Sequence, residues 1–180
     1  MTVSHPGTPT TQAGAATTVT IAPETNTPGD IPDTTAYIPY TNTGGGYTFV
    51  HPEGWAQSEQ GTSVTFTDKY NGVSASVKPA NGSPDVTSAQ ATDIPALKVS
   101  EPAFALVSVA EATLPAGRGV LIMYRRNSPP DPVTGRSVRQ EVNRYEILSG
   151  ARVVTFDLFG AVGADNVDPY KRMSQSLQLS

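Results

Sequence analysis

From residue 46 onward, apolar and polar residues alternate in short runs broken by turn residues, and this period of two constrains the fold more than any other feature. In the first run Tyr47, Phe49 and His51 share one face, and Pro52 to Gly54 end it. A short strand follows at 55–58. "SVTFT" at 63–67 then places Val64 and Phe66 inward. "DKYNG" at 68–72 closes with Asn-Gly, a hairpin marker, and "GVSASV" at 72–77 resumes the alternation. Longer strands are predicted over 104–114, 119–126, 138–148 and 151–159. The proline-rigid turn "SPPDPVTGRS" separates the second and third of these, and a Ser-Gly turn separates the last two.

Two stretches depart from that period. Ala89, Ala91, Ile94 and Leu97 lie near helical spacing, but Pro95 interrupts them, which predicts one broken helix or two short ones between 83 and 102. Near the end, Asp168 followed by Pro169 predicts a capped helix start, and Tyr170, Met173 and Leu177 form one helical face. The fold class that follows is α+β: an antiparallel β-sheet of six to eight strands flanked by helices, with a C-terminal helix packed on the sheet.

The first part of the chain is different. Residues 1–20 carry no charged side chain, and all 12 Lys and Arg lie at position 69 or later. The stretch 1–43 is rich in Thr, Pro, Ala and Gly and reads as a disordered tether, with 44–180 as the globular domain. "AYIPY" at 36–40 is the exception, an edge segment that Pro39 keeps from a central-strand role.

Chemistry-bearing residues are sparse. With no cysteine in the chain, thiol nucleophiles, disulfides and Cys-type zinc sites are excluded. A formal net charge of −4 argues against a nucleic-acid partner. His51 and Glu53 could form half of a metal site if both sit on one strand face, but the domain holds no second histidine, so neither a metal nor another cofactor is expected. A hydrolase of unknown specificity would have to use His51 with a Ser or Asp, and no nucleophile-elbow motif accompanies it. Trp55 reads as a core anchor at the first corner of the sheet. The strongest charge feature is positive. Seven arginines fall between 118 and 152, and Arg125, Arg126, Arg136 and Arg139 flank the proline turn, a candidate surface for an anion or an acidic partner. The alternative is a solvated face on which Glu141, Glu146 and Asp157 pair with these arginines.

"GGYTFVHPEGWAQ" followed by "VTFTDKYNGVSASV" resembles the opening of PsbP-like domains, and the order of elements matches over roughly 45–178. The resemblance implies an α/β/α sandwich around an antiparallel sheet, and a binding or assembly-factor role rather than catalysis. The leading stretch plus this domain also looks like small actinobacterial lipoproteins of the LpqN type. That likeness implies an extracytoplasmic domain, membrane-tethered or secreted, that binds an envelope partner protein or assists an envelope or transport complex. A transporter accessory that binds a small anionic or lipid-like ligand is the other reading. The chain has no cysteine to carry a lipid, so a signal and lipidated cysteine are expected outside it. Metal-linked histidines of photosystem PsbP proteins have no counterpart here beyond His51.

Overall fold

The computed structural model describes residues 29–131 and 133–180, so most of the expected tether lies outside the described residues. Alternation becomes strand wherever it was read. Chain order gives β1 (Tyr37–Asn42), β2 (Tyr47–Pro52), β3 (Ala56–Gln60), β4 (Ser63–Asp68) and β5 (Asn71–Pro79). A helical stretch follows as α1 (Val86–Ser88), a π turn (Ala89–Asp93) and α2 (Ile94–Ser100). The rest is β6 (Ala105–Leu114), β7 (Gly117–Asn127), β8 (Arg139–Ser149), β9 (Arg152–Ala161), α3 (Val167–Ser176) and β10 (Gln178–Leu179).

The strands form an antiparallel seven-stranded sheet in the order β3-β4-β5-β9-β8-β7-β6, and the C-terminal helix packs on it. A second, three-stranded sheet, β1-β2-β10, was not foreseen. The first strand of the expected meander belongs to it: β2 pairs with β1 and β10, and the turn at Gly54 (φ 82°) sends the chain from the small sheet to the large one. Pro39 sits on the edge strand β1, where a missing N–H interrupts no ladder between two neighbours.

Two cores flank the large sheet. On one face, Phe49 of β2 meets Phe66 and Phe156 edge-on, and Met173 of α3 and Leu177 just past its end complete the cluster with Val64, Val73 and Leu158. Trp55 packs against this cluster just before β3 begins. On the other face, Ala89, Ile94 and Leu97 of the helical stretch cover Val120, Ile122, Tyr124 and Val142. Pro95 is accommodated because the ladder widens before it: the Ile94 N–H donates to the Ala89 carbonyl, five residues back.

The domain also begins earlier than residue 44. Ile31 is 4% exposed and part of the core. Its N–H donates to Asn166 Oδ1 at 2.8 Å, Asn166 Nδ2 donates to Asn71 Oδ1 at 3.0 Å, and Asn71 Nδ2 donates to the Gly29 carbonyl at 3.0 Å. The same amides correct the helix start. Asn166, not Asp168, occupies the N-cap of α3, and its side chain holds the incoming segment instead of capping the helix. Pro169 therefore lies at the third helical position, where its N–H would have had no intrahelical acceptor.

Candidate functional site: a cationic hollow on the helix-side face

Strand register puts a layer of charge on the face beneath the helical stretch. Ser74, Asp157, Arg144 and Ile122 stand side by side across β5, β9, β8 and β7, with Ser76, Thr155, Glu146 and Val120 in the next row. Arg144 grips Asp157 with two parallel bonds, Nε to Oδ1 at 2.8 Å and Nη2 to Oδ2 at 2.7 Å. Burial opposes the Arg144 charge, but the Asp157 carboxylate and neighbouring groups reverse that effect and leave its pKa above the ordinary arginine value. Lys78 Nζ bridges Asp93 of the π turn, at 2.8 Å, and Glu146 at 3.0 Å, tying the helical stretch to the sheet. Burial raises the Glu146 pKa, against a lowering by Lys78. The Tyr124 ring stacks on Phe104 and lies 5.8 Å from the Arg144 guanidinium, while its hydroxyl is buried with no hydrogen-bond partner among the described residues.

Beyond the helical stretch the same face opens into a hollow of about 600 Å³. Thr65 and Thr67 of β4 and Ser74 of β5 form one wall, Phe159 and Gln140 lie toward the sheet, and Ser128 to Asp131 with Arg136 and Val138, from the loop between β7 and β8, form the opposite wall. That loop is built locally. Asp131 Oδ1 accepts from the N–H groups of Val133 and Thr134 and from the Thr134 hydroxyl, and these bonds hold its carboxyl below the usual range. Gln140 Nε2 donates to the Tyr70 carbonyl at 2.9 Å, fixing the β4–β5 turn against β8.

Three cations and two carboxylates, Asp131 in the loop and Asp157 paired with Arg144, reach the hollow. Arg126 stands over the Phe159 ring at 5.1 Å, with Nη1 donating to Glu101 at 3.0 Å. Arg136 and Lys69 stand exposed on the rim, and neither forms an ion pair among the described residues. Such a site offers directed donors, hydroxyls and an aromatic surface to an anionic group, in a volume typical of ligand clefts (~300–1,000 Å³).

The four arginines read from the sequence therefore do not make one surface. Arg126 and Arg136 meet at the hollow, while Arg125 lies on the opposite sheet face and pairs with Glu141 at 2.9 Å. Arg139 is 7% exposed and structural: its Nη1 donates to the Ala103 carbonyl at 2.7 Å, and burial lowers its pKa, with the Arg125 charge adding to the effect. His51 is not on a surface either. Its ring stacks on Phe66 at 3.6 Å between centroids, its Nδ1 donates to the Pro52 carbonyl at 2.9 Å, and burial depresses its pKa. Glu53 lies past the end of β2, in the turn, so the two do not share a strand face. Among the described residues, no group of three or more His, Asp or Glu side chains could hold a metal ion. Lys69, Tyr70, Gln140 and the Thr65–Thr67 wall escaped the sequence reading. Only the outward parity of β4 pointed to the two threonines.

No protein-family model matches the chain, and neither does any curated protein. Solved structures do. The PsbP protein CyanoP from Synechocystis superposes with a TM-score of 0.54 over 84% of this chain and 98% of its own, at 15% identity. The fold is PsbP-like. The same fold appears in the Ran-binding protein Mog1p from Saccharomyces cerevisiae, with a TM-score of 0.52 over 81% of this chain and 96% of that one, at 8% identity. At such identities the likeness speaks for the PsbP-like fold alone.

Proposed function

We propose that this chain is a non-enzymatic, extracytoplasmic binding domain of the lipoprotein type, and that its hollow receives an acidic group presented by an envelope protein partner. The carrying observation is the placement of Arg136 and Lys69 on the rim of a hollow of about 600 Å³, above Arg126 and Phe159, in a chain of net charge −4. Asp157 and Arg126 are paired within the protein. The two rim cations against the Asp131 carboxylate therefore leave the rim net positive on an otherwise acidic molecule, and such a rim selects its partner electrostatically. The open rim suits a side chain or chain end offered by another protein. A Ran-binding protein shares the fold, which agrees with protein binding. A small anionic ligand is the second reading, and a volume within the usual range of ligand clefts favours it.

The test titrates a hexaglutamate peptide and, separately, succinate into the native chain and into Lys69→Gln/Arg136→Gln, read by calorimetry and by amide shifts. The peptide is expected to shift Thr65, Thr67, Ser74 and Tyr70, and to bind at least tenfold more weakly to the variant, with the melting temperature unchanged. Succinate binding without peptide binding would install the small-ligand reading. Failure of both probes, or equal affinity in the variant, would remove the hollow as the recognition site.

A further inference from the structure

The β4–β5 hairpin turns where its sequence is least suited to turning. Asn71-Gly72 is the pair that a tight turn takes most readily, yet both residues lie in β5. The turn falls instead on Lys69 and Tyr70, with Asp68 paired to Asn71 across it. Alternation does not choose between the two turns, because moving the turn by two residues leaves every side chain on its own face. Of the two turn residues Lys69 alone has positive φ, at 52°, as in the turn type that takes glycine at its first position. Positive φ crowds a lysine Cβ against its own backbone, a cost that glycine escapes.

The register has causes of its own. Gly72 stands opposite Phe159, and a Cβ there would run into the ring that lies beneath Arg126. Asn71 is committed to the Gly29 carbonyl and to the Asn166 amide. These contacts fix where the turn falls, but they do not call for a lysine at its first position. The Lys69 side chain is exposed and forms no ion pair among the described residues, so no internal salt bridge offsets the strain.

What the lysine does reach is the hollow. Its neighbour Asp68 alternates to the other face of the sheet, beside Trp55, and leaves the ammonium unopposed. Across the rim, Arg136 shares its loop with Asp131, whose carboxylate lines the same hollow and cancels part of the field there. We propose that Lys69 is the specificity-determining cation of the hollow, presented to the incoming acidic group by a hairpin turn held under strain. This rests on the hollow being the recognition site. Backbone strain held beneath a side chain that is free for a ligand is the pattern of a binding residue.

The test compares the native chain with three variants, by calorimetry against hexaglutamate and against succinate, and by thermal unfolding. Lys69→Gln removes the ammonium and keeps the strain, Lys69→Gly removes both, and Arg136→Gln neutralises the other rim cation. With whichever probe binds, both Lys69 variants are expected to bind at least about tenfold more weakly, and Arg136→Gln about threefold. Lys69→Gly is expected to melt about 2–4 °C above Lys69→Gln, since the two share the loss of charge and differ in the turn. Weaker binding together with higher stability is an outcome that a merely structural lysine would not give. Binding that survives Lys69→Gln and is lost in Arg136→Gln would leave the hollow standing and overturn the assignment to Lys69. A Lys69→Gly chain no more stable than Lys69→Gln would overturn the strained presentation. A native chain that binds neither probe would remove the hollow and this proposal together.

Discussion

The Arg144–Asp157 pair offers the most direct test of what holds the helix-side layer together. Asp157→Asn keeps the shape of the side chain but removes its charge and turns an amide donor toward a guanidinium that can only donate. Arg144 and Asp157 side chains are 20% and 10% exposed, so water cannot fully re-solvate the orphaned cation. Removing one partner of a buried pair costs about 3–5 kcal/mol, and partial exposure here sets the estimate at about 3 kcal/mol. With an m-value of about 2 kcal/mol per molar urea for a domain of this size, the unfolding midpoint drops by about 1.5 M. The single tryptophan, Trp55, packs against the main core and reports that transition by its fluorescence. Replacing both partners, Arg144→Met with Asp157→Leu, removes the stranded charge along with the pair and should recover most of the loss. A midpoint shift below about 0.25 M for Asp157→Asn, or a double variant less stable than the single one, would refute the reasoning.

Two further perturbations separate structural from accessible groups. Burial depresses the His51 pKa, so the unfolded chain takes up the proton first. Stability is then fully present above about pH 6.5 and falls as pH drops below it, by at most about 1.4 kcal/mol per pH unit. His51→Phe, which preserves stacking on Phe66, should flatten that dependence between about pH 6.5 and 5, and urea midpoints unchanged in slope across that range would contradict it. Arg139→Glu should cost more than about 3 kcal/mol because it buries a carboxylate against the Ala103 carbonyl, whereas Arg136→Glu on the exposed rim should stay within about 0.5 kcal/mol by thermal unfolding.

The sequence made the strands legible because alternation records which side chains face inward, and Val64, Phe66, Val73 and Ala75 all do. Alternation does not record which strand is the neighbour. Nothing in "YTFVH" distinguishes a first meander strand from the centre of a separate three-stranded sheet, and the difference rests on a turn at Gly54 and a two-residue strand at the chain end. The early start of the domain was hidden for another reason. Ile31 is held by the amides of Asn166 and Asn71, and isolated side-chain amides carry no periodicity. Asp-Pro at 168–169 matched a helix start by composition, yet a proline is tolerated anywhere in the first turn, so the match fixed the helix only to within one turn.

The arginines show the same limit at the level of the site. Sequence proximity put Arg125, Arg126, Arg136 and Arg139 in one patch, but a strand sends adjacent side chains to opposite faces. Arg125 therefore meets Glu141 on one side of the sheet while Arg126 meets Glu101 on the other. Arg139 turns inward to the Ala103 carbonyl, where its donors join the start of β8 to the segment before β6. The expected solvated, salt-bridged face exists only in part: Glu141 pairs with Arg125 on one, exposed face, whereas Asp157 and Glu146 are buried on the other, Asp157 against Arg144 and Glu146 against Lys78 rather than an arginine. What remains for recognition is the part of the cluster without a structural task. Arg136 stands on a loop shaped by Asp131, and Lys69 joins it from a turn some seventy residues earlier in the chain, held in place by the Gln140–Tyr70 bond. A candidate site assembled from residues that distant is set by register across β4, β5, β9 and β8, so it could be read only once the order of those strands was known.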